Sequence, residues 1–202
     1  MPQLDDVRML LASKLGKVLM PEDAAAIEAA LFYEPDLSHN PAKFDSIQHG
    51  RYTIQAERFS NIIAELHHLH QVHWLETEKH RHGLELNPDY EAFLVRERAG
   101  RLLQFTMRDE YRRLVGNLRM FIGTSLHTQT EYASEDVMFL LPEHRGSFAA
   151  LALIRFAEQS LRAIGIREIR VNSKLVNRAD VLMLRMGYGA VALEFVKFFE
   201  ES

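Results

Sequence analysis

The stretch from Asp136 to Gly165 constrains the fold of this chain more than any other. An apolar run, Val137 to Leu141, leads into Pro142-Glu143-His144-Arg145-Gly146-Ser147. A longer run of small and apolar residues then ends at Ala163-Ile164-Gly165. This reads as a strand, a tight turn and a helix. Val137, Phe139 and Leu141 share one face of the strand, Met138 and Leu140 the other, so the strand is expected to be buried on both sides. Pro142 has no N–H to give to a sheet and ends it. From Phe148 the period is helical. Ala150, Leu153, Ile154, Ala157, Leu161 and Ile164 form one stripe, and Arg155, Glu158, Gln159 and Arg162 form the other. Gly165 stands where helices commonly end in the left-handed conformation. A buried strand that turns directly into a helix aims several unpaired backbone N–H groups at one point. The helix dipole adds partial positive charge there and Arg145 adds a full one, which is the physics of a phosphate or pyrophosphate site.

A chain of 202 residues can bury one sizeable core with an appendage. The net charge of −4 argues against a nucleic-acid partner. With no cysteine, disulfides, thiolate metal sites and cysteine-bound thioester intermediates are excluded. Asp5 and Asp6 open the chain, with no basic-then-apolar leader and no apolar run of membrane-spanning length. The expectation is a cytoplasmic protein with no membrane partner.

Residues 1–50 read as a separate N-terminal helical extension and linker. Leu4, Val7, Leu10 or Leu11, Leu15 and Val18 recur at helical spacing. Pro21-Glu22-Asp23 opens a second helix, and Pro35 stops it. The pair can form a hairpin on the main domain or an arm exchanged in a homodimer. Residues 34–51 have two prolines and no period and read as a linker or wrapped loop.

Tyr52 to Glu57 reads as a strand and Phe59 to Lys79 as a helix. Phe59, Ile62, Ile63, Leu66 and Leu69 line its buried face, and His70, His73 and Thr77 continue it. Histidines one turn apart, with Glu76 beyond His73, have a spacing that can serve a metal. No HExxH-type signature accompanies them, and no metal is expected. Asn87-Pro88-Asp89 starts a helix that ends near Gly100. Leu103, Phe105 and Met107, then Leu114 to Ile122, alternate as two strands of an antiparallel hairpin. His127-Thr128-Gln129-Thr130 is a polar connection to the organising strand. After Gly165, Ile169, Val171 and Ser173 mark a parallel strand reached by a helical crossover.

These residues resemble the GNAT (Gcn5-related) N-acetyltransferases. The family's acetyl-CoA loop reads Arg/Gln-x-x-Gly-x-Gly/Ala, and the six positions here are Arg145, Gly146, Ser147, Phe148, Ala149 and Ala150. The first and last fit. The fourth, usually glycine, is Phe148. Asn177, Ala179, a helix to Met186 and then Gly187-Tyr188 are similar to the family's last helix and its exit. Val115-Gly116-Asn117 resembles a step on its third strand. The likeness covers residues 52–198. The wording of Trp74-Leu75-Glu76-Thr77 and His127 to Thr130 is also similar to acetyltransferase-like proteins of phage and prophage origin.

The resemblance implies an α/β (α+β) GNAT acyl-CoA N-acyltransferase fold in residues 51–202. Its mixed central sheet is flanked by helices and closed by a final strand over Ala190 to Phe198. Acetyl-CoA is implied as co-substrate, with an amine as acceptor. Leu140 and Leu141 would offer main-chain groups to the pantetheine. Arg145 and the backbone from Gly146 through Ser147, Phe148 and Ala149 to Ala150 would hold the pyrophosphate, and Asn177 would touch the pantetheine arm. His73, Trp74, Glu76 and Glu78 are candidate acceptor contacts. For the base, Asp136 or Glu135 comes first, with only one facing the cleft because strand neighbours point oppositely. His127 is second and Glu76 third. The family's usual acid, a tyrosine, falls at Met183, and Tyr188 holds a position that is normally aromatic and structural. The alternative function is a non-catalytic GNAT-fold protein that binds CoA or a protein partner.

Overall fold

The computed structural model describes residues 2–31, 36–79, 83–146, 148–173, 179–193 and 195–197. Six strands form one mixed sheet in chain order: β1 (Ile47–His49), β2 (Tyr52–Glu57), β3 (Leu102–Arg108), β4 (Leu114–Thr124), β5 (Glu131–Leu140) and β6 (Ile169–Arg170). Neighbours from β1 to β5 are antiparallel, and β5 and β6 are parallel. Helices α3 (Phe59–His73) and α4 (Tyr90–Arg98) cover one face. Helix α5 (Ala149–Ala163) covers the other, and the short α6 (Ala179–Arg185) follows β6.

Alternation along the strands decides what each face presents. Ile54, Phe105, Met107, Leu118 and Met120 point toward Leu153, Ile154, Phe156, Ala157 and Leu161 of α5. The stripe read from the sequence is therefore the face that the helix buries. Phe59, Ile62, Leu66 and Leu69 of α3 pack on Leu102, Leu114, Val137 and Phe139 of the opposite face, with Tyr90 and Phe93 of α4 beside them. The intervening strand residues Gln104, Thr106, Asn117 and Arg119 are buried under α3 and α4.

The β4–β5 ladder has one close approach and one irregularity. Gly116 of β4 sits opposite Leu140, where an added Cβ would stand 2.9 Å from the Leu140 Cγ, so glycine permits the close approach of the two strands. Further along, Val137 pairs with Arg119 and Glu135 pairs with Met120. Asp136 is the extra residue of a β-bulge.

Several expectations change. The linker over 34–51 contains β1 and a 3₁₀ turn, Pro41–Lys43. The fourth helix is capped by Asp89, whose side chain accepts from the Ala92 N–H, and not by Asn87. The helix expected to reach Lys79 passes into a π-helical turn, Trp74–Glu78. The strand after Gly165 is reduced to Ile169–Arg170. Among the described residues of 190–198 the expected final strand is not formed: they are irregular, and Val191, Leu193 and Phe195 are exposed. The alternation is present, but no neighbouring strand among the described residues meets it. The two N-terminal helices, α1 (Pro2–Ser13) and α2 (Pro21–Leu31), pack on each other. Among their apolar residues and those joining them, Val7 is buried while Met9, Leu11, Leu15, Val18 and Met20 are exposed. No helix among the described residues is long and apolar enough to cross a membrane.

Candidate functional site

Strands β5 and β6 pair only at Ala133–Ile169 and Ser134–Arg170. Beyond those pairs they part, and a cavity of about 120 Å³ fills the gap. Its walls come from both sides of the sheet: His73 from α3 on one face, and Ile154, Ala157, Glu158 and Leu161 from α5 on the other. Met138, Glu135 and Asp136 of β5, Asn172 after β6, and Met183 and Tyr188 complete it. The opening therefore runs through the sheet.

The bulge overturns the expectation that only one acid can face the cleft. An extra residue at Asp136 breaks the strict alternation, and both Glu135 and Asp136 line the cavity. Their surroundings differ. Glu135 accepts the Asn172 N–H at 3.1 Å, tying β5 to the chain leaving β6. Asp136 is the counter-ion of Arg119. The Arg119 Nε and Nη2 both reach Asp136 Oδ2 at 2.7 Å.

Main-chain groups on the open side of β5 follow from the ladder. The Leu141 N–H donates to the Val115 carbonyl at 2.9 Å, so Leu141 turns its donor toward β4. This corrects its expected part in a main-chain site. Alternation turns Met138 and Leu140 toward the gap. The Leu140 carbonyl there accepts from the Arg145 Nε at 2.9 Å.

After a 3₁₀ turn at Pro142–His144, the chain passes Arg145 and Gly146 (φ +96°) to Phe148, the N-cap of α5. Phe148 has φ +58° and is 75% exposed as a residue. This left-handed conformation is the one that glycine adopts without strain, and it explains why glycine suits this position of the loop. The ring points outward, so the backbone keeps its path. The Ala149 N–H turns back to the Gly146 carbonyl, and the first intrahelical bond runs from Ala152 to Phe148. The N–H of Ala150 lies in the first turn, where a helix leaves donors unpaired. Ser147 and Asn177, both expected at the cofactor, lie outside the described residues.

Arg145 does not point at the helix N-terminus. Its guanidinium grips Glu76 through two bonds, at 2.8 and 2.7 Å, and lies over the Phe139 ring. Arg145 holds the Glu76 carboxyl below the usual carboxylate range, chiefly through those hydrogen bonds. Glu76 is thus a link between the π-helical turn and the loop after β5. Trp74 donates its indole N–H to the Leu84 carbonyl at 3.0 Å. The side chain of Glu78 lies outside the described residues. His73 borders the cavity, with its ring 5.1 Å from that of Phe139. His127 sits exposed in the β4–β5 turn, away from the cavity lining, because β5 carries the chain on from Glu131 before Glu135 is reached. Among the described residues no three His, Asp or Glu side chains gather as a metal site.

Three contacts at or behind the cavity were not read from the sequence, although His70 and Tyr188 themselves were placed by it. Arg119 is buried between Phe93 and Phe59, 4.0 and 5.4 Å from their ring centres. His70 lies behind it. The third is the pair Tyr188 and Glu158. The Tyr188 N–H donates to Met183 O at 3.0 Å and the Gly187 N–H to Leu184 O at 3.1 Å, with Gly187 at φ +93°. These are the two bonds of a Schellman turn, which folds its last residue back onto the helix. Tyr188 therefore lies beside Met183, the position where the resemblance puts an acid. Its hydroxyl donates to Glu158, and burial first, then that carboxylate, push the phenol pKa upward. The signal for this was local: a glycine followed by an aromatic residue just after a helical period.

The architecture is the GNAT acyltransferase fold, a curled mixed sheet whose fifth and sixth strands here part beside a bulge. The chain is similar in structure to an aminoglycoside acetyltransferase from an uncultured soil metagenomic sample, with a TM-score of 0.58 and 14% identity over 75% of this chain and 97% of that one. It is also similar to the ribosomal-protein-alanine N-acetyltransferase of Brucella melitensis biovar Abortus, with a TM-score of 0.58 and 16% identity over 73% and 99%. A GNAT family acetyltransferase of Staphylococcus aureus matches with a TM-score of 0.54 and 14% identity over 74% and 99%. No family model matches the sequence, and no curated protein matches it.

Proposed function

We propose that this chain is an acetyl-CoA-dependent N-acetyltransferase that passes the acetyl group to an amine by direct attack on the thioester. The observation that carries this reading is the cavity through the sheet. It joins an apolar channel along α5 to a wall of carboxylates and a histidine at the bulge. Two substrates entering from opposite faces can meet there. Acetyl-CoA fits the chain's own groups in three respects: the open-side main chain of Met138 and Leu140, the N–H groups at the start of α5, and the apolar side chains between them. In one respect the fit requires a change, since Arg145 must leave Glu76 before it can meet a pyrophosphate.

The chain's residues then divide the work. Asp136 or Glu135 takes a proton from the acceptor ammonium, directly or through water. A backbone N–H on the open side of β5 donates to the carbonyl oxygen as it gains charge. The amine nitrogen bonds to the acetyl carbon and the carbon–sulfur bond breaks. The thiolate leaves beside Glu158 and whichever of Glu135 and Asp136 stayed ionised, and it takes its proton from the other or from water. Tyr188, held neutral by burial and by Glu158, lines that space. His73, Trp74 and Glu76 bound the side from which the amine arrives. The acceptors named for the structural neighbours range from aminoglycosides to a protein alanine, so the fold does not choose among amines. A second reading, a GNAT-fold protein that binds CoA without turnover, is favoured by the closed Arg145–Glu76 pair.

Calorimetric titration with acetyl-CoA, CoA and 3′-dephospho-CoA tests the cavity, followed by thiol release against a panel of amines. Micromolar binding and amine-dependent thiol release are expected. Binding without thiol release would favour the second reading, and no binding at all would remove both.

A further inference from the structure

Beneath the bulge, four polar side chains from four elements form a continuous array, buried at His70 and Arg119 and open to solvent at Asp136. Tyr90 of α4 meets His70 Nδ1 of α3 at 3.2 Å. His70 Nε2 meets the Arg119 Nη1 of β4 at 3.4 Å, and Arg119 meets Asp136 of β5. A guanidinium has no acceptor, so His70 Nε2 must accept and Nδ1 must carry the proton that goes to the Tyr90 oxygen. Burial and the facing Arg119 hold His70 neutral, with its pKa lowered to about 3.

Stability does not explain Arg119. Its side chain is only 5% exposed, and desolvation works against its charge. Apolar residues of similar volume are commonly as stable as a buried ion pair, or more so. The arrangement is also lopsided. Both Arg119 contacts, the Nε hydrogen bond and the Nη2 ion pair, run to Oδ2 of Asp136 and leave Oδ1 out of the pair. Asp136 meanwhile lines the cavity.

We infer that Arg119 is a positioning residue of the candidate acetyl-transfer site: anchored by Phe93, Phe59 and His70, it pins one oxygen of Asp136 at the bulge and presents the other to an incoming ammonium group. The inference rests on the reading of the cavity as an amine-acetylation site. Arg119 from β4 contacts Asp136, and the titratable groups that share the cavity with it are Glu135 from β5, His73 from α3, Glu158 from α5 and Tyr188 after α6. Arg119 itself faces His70, Tyr90 and Asp136. Removing the Arg119 fork takes away the two contacts that hold Asp136 Oδ2 in place.

The test compares wild type with Arg119→Met and Arg119→Lys. The order of the Asp136 side chain is followed by ¹³C relaxation at one fixed pH, and amine acetylation by kcat and KM. Acetyl-CoA affinity from calorimetry serves as the folding control. In Arg119→Met the Asp136 side chain should lose order and the amine kcat/KM should fall about 100-fold, while acetyl-CoA affinity should stay within threefold. Arg119→Lys keeps a charge without the planar fork, so order and activity should both recover in part. It also serves if Arg119→Met fails to fold, in which case a kcat/KM equal to wild type would overturn the inference. Unchanged Asp136 relaxation in a folded Arg119→Met protein overturns it as well, as does an amine kcat/KM within threefold of wild type. If wild type binds acetyl-CoA but acetylates no amine, the functional reading fails, and the relaxation measurement still decides whether Arg119 holds Asp136.

Discussion

The two faces of the sheet are built on different terms. Toward α5 the strands present Ile54, Phe105, Met107, Leu118 and Met120, and the layer is apolar throughout. Toward α3 and α4 the same strands present Gln104, Thr106, Asn117 and Arg119 among the apolar residues. Some of this second layer is well partnered, as where Arg108 is held by Glu57 and Glu65. Some is not: Gln104 Oε1 and both amide atoms of Asn117 have no partner among the described residues. The first face supplies the driving force for folding. The second gives up part of that force to fix charges beside the cavity, which is the usual relation between a site and its scaffold.

Substitutions can break this contrast or sharpen it. Phe105→Ala, at the centre of the apolar face, should cost about 3–5 kcal/mol in denaturant-induced unfolding. A cost below about 1 kcal/mol would mean that this layer does not hold the fold. Asp136→Asn strands a buried guanidinium and should cost about 3 kcal/mol. Arg119→Met combined with Asp136→Leu should recover most of that loss while leaving no acetyl transfer, and a double variant as unstable as the single one would refute a polar face kept for function. The third effect depends on pH. The folded pKa of His70, about 3, lies below its unfolded value near 6.5, so its contribution is complete above about pH 6.5 and is lost as pH falls toward 3. The slope from this group is about 1.4 kcal/mol per pH unit. His70→Gln should flatten the stability curve in that window, measured as unfolding free energy against pH.

Smaller effects come from the helix ends. Glu97 accepts the N–H groups of Phe59 and Ser60 and so caps α3 from α4. Glu97→Gln should lower stability by about 1–2 kcal/mol, read from the denaturant midpoint. Phe148→Gly removes a bulky left-handed residue whose ring touches mostly solvent, and should raise stability by about 1 kcal/mol. A loss instead would show that the exposed ring has packing value in the folded chain.

Much of the scaffold was legible because apolar period is a local signal. The organising strand, its turn and α5 follow from residues 136–165 alone, and the β3–β4 hairpin follows from its alternation. The same signal misled at the C-terminus, where Val191, Leu193 and Phe195 alternate without a strand to pair with. The bulge was not legible, because register is a property of two strands and Asp136 carries no mark of being the extra residue. Nor was the array behind it: His70 and Arg119 are 49 residues apart in sequence and meet only in three dimensions. Arg145 was found for its charge and misplaced in its partner, since nothing local to it points to the carboxylate across the loop.

The turn at Gly187 has a consequence for comparing this chain with others. It sets a phenol beside a side chain five positions earlier in the sequence. Position-by-position alignment sees only the methionine at that place and takes no account of the hydroxyl beside it. A spatial comparison would find it again, so the address of a group in the chain and its address in the cavity can vary independently.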